Sequence, residues 1–349
     1  MTGHPAGPAP LRVALIGAGD ISRYHLEAWR KVPAVEVVAI CDRDRQRAAD
    51  RAARFGIPAV HTDARAMLAA ARPDAVDVAT TRETHVELTL LAARHGAHVL
   101  CQKPLAPTLA EAERLVADVA GSVRLMVNEN RRFAPHFRAI RAWIDGGQVG
   151  PVRQVVMTTY RSSLLAGADG RRPAVERAAY YASEPRLLIG EALIHQLDVL
   201  RYLLGPLRVV AARALRTEPA LPGETVATLL LETGSGAPVA LAGSYVAPGY
   251  AGSAGGATAL GAQTSDRLEI AGARSSVVMT DTGLQLRGAS VERLPVDYAA
   301  TYQTCFDEAI AHFAGRLRSG EPFETGPDDN LQTLRLVEDA YRLAAAGTG

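Results

Sequence analysis

The first third of the chain alternates between short apolar runs and longer stretches in which apolar residues follow a helical spacing. Short apolar runs predict strands and the amphipathic stretches predict helices, and strands alternating with helices over short loops are typical of a parallel sheet with helices on both faces. The predicted strands are 13–16, 35–40, 59–62 (a weaker signal), 75–79, 98–101 and 123–127, and the predicted helices are 21–31, 44–55, 64–71, 85–95 and 109–120.

Beyond residue 133 the pattern changes to more strands with fewer helices between them. A helix over 135–145 and a strand over 153–160 precede a polar segment, 161–186, with little periodicity. A strong helical pattern over 191–204 leads into a β-rich stretch, and runs of strands closed by terminal helices predict a second, α+β domain. Its predicted strands are 207–215, 225–231, 239–246, 267–271, 276–280 and 283–286, and its last helices are 302–318 and 328–346.

Two segments follow neither periodicity. Residues 1–10 have neither the basic nor the apolar region of a signal peptide, and we predict a disordered tail. The stretch 248–264 is rich in Gly, Ala and Ser, which predicts a mobile loop. We therefore divide the chain into this tail, a first domain over 11–132 and a second domain over 133–349, whose last helices could pack back on the first domain.

Composition narrows the classes of protein that fit. Lys plus Arg number 38 and Asp plus Glu 37 among 349 residues, so charge gives no drive toward nucleic acid or an anionic membrane. No apolar run approaches the roughly 18 residues that span a bilayer. Cys41, Cys101 and Cys305 have no paired spacing, which favours neither a disulfide framework nor a zinc site. We expect a soluble, cytoplasmic protein without a metal site.

The first predicted strand runs directly into the sequence GAGDIS, which opens a helix. Gly17 permits a tight turn, and Gly19 lets the backbone approach a pyrophosphate. The N–H groups at the start of the helix, at Asp20 and Ile21, then face the anion. Ser22 stands where the dinucleotide-binding fingerprint has its third glycine, and serine is small enough for that position. The strand–turn–helix context predicts a dinucleotide site.

Asp42 supports this interpretation because it follows the second strand, 23 residues beyond Gly19. An acidic side chain there accepts hydrogen bonds from the ribose hydroxyls and repels a 2′-phosphate, which favours NAD over NADP. Arg43 beside it could instead stack on adenine or hold that phosphate. The alternative for the whole pattern is a glycine turn in a flavodoxin-like domain with Asp42 as a helix cap.

Lys103 follows the strand 98–101 within Gln102-Lys103-Pro104. The carboxyl end of a strand in an open α/β sheet faces the ligand crevice, where a lysine can sit beside a nicotinamide. An ammonium group can hydrogen-bond a substrate hydroxyl or the oxygen of its oxidised form. The alternative is a surface lysine in a strand–helix loop.

These motifs together resemble the Gfo/Idh/MocA oxidoreductases, the group of glucose–fructose oxidoreductase and inositol dehydrogenase. The resemblance implies a Rossmann domain followed by an α+β domain, whose large, mostly antiparallel open sheet mediates dimer or tetramer contacts. It covers nearly the whole chain and rests on VALIGAGDIS, AVDVATTRETHVEL, HVLCQKPLA, NENRRFAPHF, GQVGPV, IHQLDVLRYLLG and ETGPDDNLQTLRLVEDAYRLA.

The resemblance also implies catalytic roles. Lys103 takes the place of the catalytic lysine, and Gln102 replaces the usual glutamate before it. His195 takes the place of the catalytic histidine, with Glu191 where many members have an aspartate. The spacing i, i+4 places these two side chains on one helix face, with Asp198 one turn further on. Without the resemblance, His195 is equally a structural helix histidine.

Other candidates carry weaker signals. Thr80, Thr81 and His85 follow a strand and would line the nicotinamide side, as in the family, although His85 could equally cap its helix. Asn130 and Arg132 follow the sixth strand and would reach the substrate. The polar segment contains the arginines Arg161, Arg171, Arg172 and Arg186, which would suit an acidic substrate; the alternative is a solvated loop. Its two tyrosines, Tyr180 and Tyr181, could stack on a sugar ring or only pack against the protein.

We predict hydride transfer between NAD and a secondary alcohol or ketone of a sugar, cyclitol or related polyol, in a homodimer or homotetramer that binds neither nucleic acid nor membrane. Lys103 and His195 would serve the acid–base step, and Glu191 would orient His195 or hold a substrate hydroxyl. One alternative is a sugar-nucleotide ketoreductase that uses the same residues. Others are a non-catalytic NAD-binding regulator and chemistry on dihydrodiols or imines.

Overall fold

The computed structural model describes residues 9–248, 265–280 and 282–346. The chain forms two compact units. The first contains the described residues through Asn130 together with Phe306–Gln332, and the second contains Arg131–Cys305 and the residues from Thr333 onward. The predicted tail, apart from residues 9 and 10, and the predicted loop 248–264, apart from Pro248, lie outside the described residues.

A six-stranded sheet organises the first unit. Its strands are β1 (Leu11–Ile16), β2 (Val35–Cys41), β3 (Ala59–His61), β4 (Ala75–Val78), β5 (His98–Gln102) and β6 (Leu125–Asn128). The helices between them are α1 (Ser22–Trp29), α2 (Arg45–Phe55), α3 (Ala64–Ala71), α4 (His85–Arg94) and α5 (Leu109–Val119). Every adjacent pair of strands is parallel, which confirms the predicted sheet and includes the weakly signalled β3.

The strand order β3-β2-β1-β4-β5-β6 places a topological switch between β1 and β4. The carboxyl ends of strands at such a switch border the crevice in which open α/β sheets bind ligands. Residues 13–16 of β1 and 75–78 of β4 are all buried, as expected for central strands covered on both faces.

Side-chain caps set the starts of three helices in this unit. Asp44, Asp63 and Thr108 each accept a hydrogen bond from the backbone N–H three residues further on, at α2, α3 and α5. Such caps satisfy donors that have no partner within the helix. They explain why the predicted starts of these helices agree with the structure to within a residue.

The second unit is built on an eight-stranded sheet. Its strands are β7 (Val152–Tyr160), β8 (Leu207–Leu215), β9 (Val226–Thr233), β10 (Pro238–Ser244), β11 (Ser265–Gly272), β12 (Ser276–Thr280), β13 (Gly283–Arg287) and β14 (Val291–Pro295). The order is β14-β13-β12-β11-β7-β10-β9-β8, and only β7 and β10 pair in parallel. The remaining helices of the chain are α6 (Pro135–Asp145), α7 (Pro173–Arg177), α8 (Ile194–Leu204), α9 (Tyr298–Ser319) and α10 (Pro327–Ala346). The expected mostly antiparallel sheet is confirmed.

Two features of this unit were not predicted. Strand β14 is exposed at all five positions, so it lacks the alternation of buried and exposed residues that marks a strand in sequence. The segment 161–186 contains the short helix α7 and a 3₁₀ turn, Ala179–Ala182, where we expected only a loop. Elements this short carry too few residues for a period to be recognised.

The two faces of the sheet differ. On one face Gly243 of β10 lies under the chain before α8, where a Cβ would approach Leu193 Cδ2 to 2.7 Å, so the Leu193 side chain packs closely on this glycine. Val156 of β7 and Leu230 of β9 lie between buried neighbours and point to the opposite face, where both are about 40% exposed. The sheet therefore leaves apolar side chains exposed on one face.

His136 of α6 provides a test of stability against pH. Its ring is buried, Nδ1 has no hydrogen-bond partner in the described part of the chain, and burial lowers the pKa of the imidazole from 6.5 to about 4. The unfolded chain binds this proton at higher pH than the folded one. Its contribution to stability is therefore complete above pH 6.5 and is lost as the pH falls toward 4.

The free energy of unfolding of the wild type should fall between pH 7 and pH 5. In His136→Gln we expect this fall to be smaller by about 2 kcal/mol. Urea titrations at the two pH values measure this difference. His95→Gln, at an exposed ring on the surface of the first unit, is the matched control and should keep the wild-type pH dependence. An unchanged pH dependence in His136→Gln would show that His136 is protonated equally in both states.

Candidate active site

The turn after β1 requires glycine at its first position. Gly17 has a φ of +103°, and a Cβ there would lie 2.5 Å from the carbonyl oxygen of Ala79, at the end of β4. Its N–H donates to the carbonyl of Cys41 at 2.8 Å, which ties the turn to the end of β2. The turn is thereby held over the carboxyl ends of three adjacent strands.

The second half of the turn leaves backbone donors available. A Cβ built on Gly19 would meet no atom within 4 Å. The N–H groups of Gly19, Asp20 and Ile21 have no acceptor in the part of the chain that the structure describes. Ser22 is fully buried, and its hydroxyl donates to the carbonyl of Gly19 at 2.7 Å. Open space beside unpaired N–H groups at a helix start fits a pyrophosphate.

Asp42 lies directly against this turn. Its carboxylate accepts from the N–H of Ala18 at 2.7 Å and from the N–H of Asp44 at 2.9 Å. The cap of α2 is Asp44, so the alternative of Asp42 as the helix cap is wrong. Arg43 is exposed. The placement of Asp42 fits a carboxylate that receives ribose hydroxyls beside the pyrophosphate turn.

Arg51 is a contributor that sequence reasoning missed. It lies on α2 and donates to the carbonyl of Gly19 at 3.1 Å. The guanidinium thus holds the carbonyl side of the turn while the N–H side stays open. No motif marks this arginine, because the chain has many arginines and this one follows the helical spacing of α2.

Lys103 follows the carboxyl end of β5 and is partly exposed. Its backbone N–H donates to Gln102 Oε1 at 2.7 Å, and the peptide bond to Pro104 is cis. Gln102 is the last residue of β5 and is buried, with Nε2 3.2 Å from His25 Nε2. The amide of Gln102 therefore contacts the protein at both of its ends, directly before the lysine.

Behind Gln102 lies a buried network that was not predicted. His25 Nδ1 is 2.9 Å from a carboxylate oxygen of Asp77, and Trp29 Nε1 donates to the same oxygen at 2.7 Å. His25 and Asp77 have no exposed surface. The sequence did contain a signal for this network, because Asp77 is an acidic residue inside the apolar strand AVDV and a buried carboxylate needs hydrogen-bond partners.

His85 braces the loops around the lysine. Its ring is buried, with Nδ1 2.7 Å from the carbonyl of Pro104 and Nε2 3.2 Å from the carbonyl of Thr80. Burial lowers the pKa of this imidazole. It does not cap α4, whose capping position is Thr84. Thr80 is partly exposed and Thr81 exposed at the carboxyl end of β4.

In the second unit, the helix that carries His195 departs from the prediction. Ile189–Leu193 form a π-helical turn before α8 begins at Ile194. Glu191 is buried in this turn and accepts from the hydroxyl of Tyr180 at 3.0 Å, and His195 is partly exposed. The i, i+4 spacing places Glu191 and His195 on one face only in a regular α-helix. A π turn bonds residue i to i+5, which rotates the residues within it relative to the rest of the helix. Such turns occur frequently at functional sites.

Arg132 is held inside the second unit rather than left available. It is 4% exposed and its guanidinium pairs with both carboxylate oxygens of Asp198, with Nε at 2.8 Å. Asp198 also accepts from Thr333 at 3.1 Å. This buried pair opposes the expectation that Arg132 contacts substrate, which stays a prediction. Asn130, in the first unit, is 4% exposed, and its Nδ2 has no partner among the described residues.

Most arginines of the polar segment have carboxylate partners. Arg172 pairs with Glu218 at 2.6 Å, Arg186 with Glu338 at 2.8 Å, and Arg171 with Glu176 at 3.4 Å. These pairs oppose the acidic-substrate interpretation for the three arginines. Arg161 differs: its Nε is buried without a partner among the described residues, and its guanidinium lies 5.9 Å from the ring of Tyr245. The rings of Tyr180 and Tyr181 stack on each other at 4.6 Å.

Family models match both parts of the chain. The model of an oxidoreductase family with an NAD-binding Rossmann fold covers residues 11–129, and that of a GFO/IDH/MocA C-terminal domain covers 137–278. D-apiose dehydrogenase from Paraburkholderia graminis is 35% identical over 348 residues, which cover 96% of this chain and 88% of the relative. The chain belongs to the Gfo/Idh/MocA oxidoreductase family.

Two further members of the Gfo/Idh/MocA family extend the comparison. Inositol 2-dehydrogenase from Rhizobium meliloti is 28% identical over 96% of this chain and 97% of its own length. The crystal structure of an oxidoreductase from Agrobacterium radiobacter, in complex with NAD⁺, L-tartaric acid and magnesium, superposes with a TM-score of 0.85 at 30% identity, covering 97% of each chain. The predicted family, fold class and NAD-dependent oxidoreductase activity are confirmed.

Two further observations concern membrane helices and the cysteines. No helix in the described residues is long and apolar enough to cross a membrane. Cys41, Cys101 and Cys305 are buried and form no disulfide within the described residues, and burial raises the pKa of Cys41 to about 11 and that of Cys101 to about 12. Neither thiol is a nucleophile at neutral pH, since only the thiolate reacts.

Proposed function

We propose that this oxidoreductase transfers a hydride between a secondary alcohol or ketone of a sugar, cyclitol or related polyol and NAD. The observation that carries the proposal is the position of Lys103, after the carboxyl end of β5, in the sheet whose β1 turn fits a pyrophosphate. The named relatives, a D-apiose dehydrogenase and an inositol 2-dehydrogenase, support this substrate class. The L-tartaric acid in the Agrobacterium structure is likewise a polyhydroxy compound.

We assign cofactor binding to the residues around the β1 turn and the strand ends beside it. The turn N–H groups would bind the pyrophosphate, and Asp42 would bind the adenosine ribose. Thr80, Thr81, Gln102 and Lys103 would line the nicotinamide side, with His85 bracing them. The full set is Gly17, Gly19, Asp20, Ile21, Asp42, Arg43, Thr80, Thr81, His85, Gln102 and Lys103. We propose 11–132 as the NAD-binding domain and 133–349 as the substrate and assembly domain.

Bound NAD supplies the acceptor for the hydride that leaves the carbinol carbon. Lys103 Nζ would donate a hydrogen bond to the substrate oxygen, and His195 would accept the hydroxyl proton as the C–O bond becomes C=O. In the reverse direction the same groups return that proton. Glu191 would orient His195 or hold a neighbouring hydroxyl, and Asn130 would offer its unpaired amide N–H to the substrate.

The rate of NADH formation across a panel of substrates tests the proposal. D-apiose, myo-inositol, other free sugars and polyols, and sugar nucleotides form the panel, with absorbance of NADH as the readout. We expect turnover with at least one free sugar or cyclitol. Turnover confined to sugar nucleotides would favour a ketoreductase, and NADH binding without any turnover would favour a regulator.

Asp42 should make NADH bind more tightly than NADPH. A carboxylate beside a 2′-phosphate is repelled, and an effect of about 1.4 kcal/mol corresponds to about tenfold in the ratio of dissociation constants. Asp42→Asn removes the charge and retains an acceptor for the Ala18 N–H, so it should bring the dissociation constants of NADH and NADPH closer together. Fluorescence titrations with both cofactors measure it. Arg43→Ala is the matched variant. If the wild type binds NADPH more tightly than NADH, and Arg43→Ala loses this difference, the cofactor preference is set by Arg43 instead.

We propose a homodimer or homotetramer assembled through the exposed face of the eight-stranded sheet. The support is the set of large apolar side chains that are about 40% exposed on strands of this sheet, and such patches commonly mark interfaces. Sedimentation velocity of the purified protein measures its oligomeric state, and a monomer at micromolar concentration would reject the proposed assembly. We propose the cytoplasm as the location of the protein, because its three cysteines form no disulfide within the described residues. The exposed residues that the strand register places on this face are Val156, Leu215, Leu230 and Val291.

A further inference from the structure

A chain of buried hydrogen bonds inside the first unit runs from Trp29 through Asp77, His25 and Gln102 to the backbone of Lys103. We propose that His25 is a positioning residue for Lys103, held neutral with its proton on Nδ1 so that it fixes the amide of Gln102. The inference rests on the proposed role of Lys103 in the reaction. No residue of this network was singled out by sequence motifs except Gln102 and Lys103.

One end of the network fixes a donor on His25. Asp77 has no exposed surface, and both of its oxygens lie close to His25 Nδ1, at 3.0 and 2.9 Å. Trp29 Nε1 donates to one of these oxygens at 2.7 Å. A buried carboxylate is stable only when hydrogen-bond donors surround it, so Nδ1 of His25 carries a proton.

The other end fixes an acceptor on the same ring. Gln102 Oε1 accepts the N–H of Lys103 at 2.7 Å, and a backbone N–H can only donate, so this end of the amide must be oxygen. The opposite end, the NH₂ group, therefore faces His25 Nε2 at 3.2 Å. Asn128, paired with Gln102 across β5 and β6, brings its Nδ2 to 3.3 Å from the same nitrogen. An amide NH₂ only donates, so Nε2 is unprotonated.

An aromatic ring packs against the imidazole of His25. The Phe306 ring lies 5.2 Å away, and Asp77 is the charged group bonded to the imidazole within the described residues. A neutral His25 thus directs Gln102, and Gln102 directs the N–H of Lys103. On the other side of the lysine, the carbonyl of Pro104 is bonded to His85 at 2.7 Å. The backbone on both sides of Lys103 is therefore fixed by buried histidines.

This arrangement matters because the lysine must place its ammonium group accurately. A catalytic group displaced by about 1 Å can lose about 100-fold in rate, and supporting hydrogen bonds prevent that displacement. Loss of the Gln102 link should therefore lower kcat while leaving the dissociation constant of NADH, which depends on the β1 turn, nearly unchanged.

Nitrogen NMR of the histidine-labelled protein, without substrate, tests the protonation state. We expect wild-type His25 to give one protonated and one unprotonated ring nitrogen. Gln102→Glu replaces one of the two amide donors at Nε2 by a carboxylate, which favours a proton on that nitrogen, so the protonated fraction of Nε2 should rise above the wild-type fraction. An imidazolium in the wild type, or an Nε2 in Gln102→Glu that is no more protonated than in the wild type, would overturn the proposal. Lys103→Ala should leave the wild-type signals in place, which separates this result from the role of the lysine.

Kinetics supply the second arm. Gln102→Met keeps the size of the side chain without its hydrogen bonds, and we expect kcat to fall about 10- to 100-fold. Gln102→Glu can still accept from both Lys103 N–H and His25, and should retain at least about ten times the kcat of Gln102→Met. Thr108→Ala, which removes the cap of α5, is the control for stability alone and should leave kcat unchanged. Equal kcat in Gln102→Met and the wild type would reject the positioning role.

Discussion

Lys103→Met should lower kcat by about 100-fold or more, since a general acid–base group contributes at least that much. Methionine keeps the length of the side chain and removes the ammonium group. The dissociation constant of NADH should change by less than about threefold, because the pyrophosphate and ribose contacts lie at the β1 turn. Stopped-flow or steady-state NADH formation measures kcat, and fluorescence titration measures NADH binding.

The chain provides a matched control for this experiment because it contains only two lysines, Lys31 and Lys103. Lys31 makes a surface ion pair with Asp307 at 2.6 Å, so Lys31→Met should leave kcat unchanged. Lys103→Arg keeps a positive charge but carries it on a longer, planar guanidinium that cannot place a donor where the compact ammonium lies, and it should remain strongly impaired. A Lys103→Met variant with wild-type kcat would mean that the lysine does not take part in the reaction.

His195→Asn should lower kcat in the oxidation direction by about 100-fold and remove one limb of the pH profile. The imidazole must be neutral to accept the hydroxyl proton, so wild-type kcat/KM should rise with pH as this group loses its proton. Asparagine retains a polar side chain at the same helix position without a titrating group. The measurement is kcat/KM for the alcohol at a series of pH values.

Glu191→Gln refines this second experiment. It removes the carboxylate charge and retains an acceptor for the Tyr180 hydroxyl. The proposed role of Glu191 in orienting His195 requires the two side chains to be close, and a negative charge near an imidazole favours its protonated form. That role therefore predicts that the rise in kcat/KM moves to lower pH when the charge is removed. Tyr180→Phe is the control for loss of the hydroxyl contact alone. A wild-type pH profile in His195→Asn would assign the base to another group, with Lys103 as the next candidate.

Sequence patterns were sufficient to predict the strands and helices of the first unit, because its central strands are buried on both faces and three of its helices begin at side-chain caps. They failed where local patterns carry no information. The five exposed residues of β14 show no alternation, and the π-helical turn at Ile189–Leu193 depends on packing rather than on a period. For the same reason the spacing of Glu191 and His195 could not be converted into a geometry.

The candidate site was predictable only where a motif reports a backbone requirement. Gly17 is such a case, since any Cβ would clash with Ala79. Contacts between distant segments were not predictable: Arg132 pairs with Asp198 across 66 positions, and His25 meets Gln102 across 77. Nothing in the local sequence distinguishes a buried arginine in an ion pair from one that contacts substrate.

The central claim is direct hydride transfer from a polyol carbon to NAD, and isotope transfer tests it most directly. The best substrate from the panel, deuterated at the carbinol carbon, would be oxidised by the wild-type enzyme and the NADH analysed by mass spectrometry. We expect one deuterium in each NADH formed, together with a slower rate than with the undeuterated substrate. NADH without deuterium, or no NADH from any substrate of the panel, would contradict it.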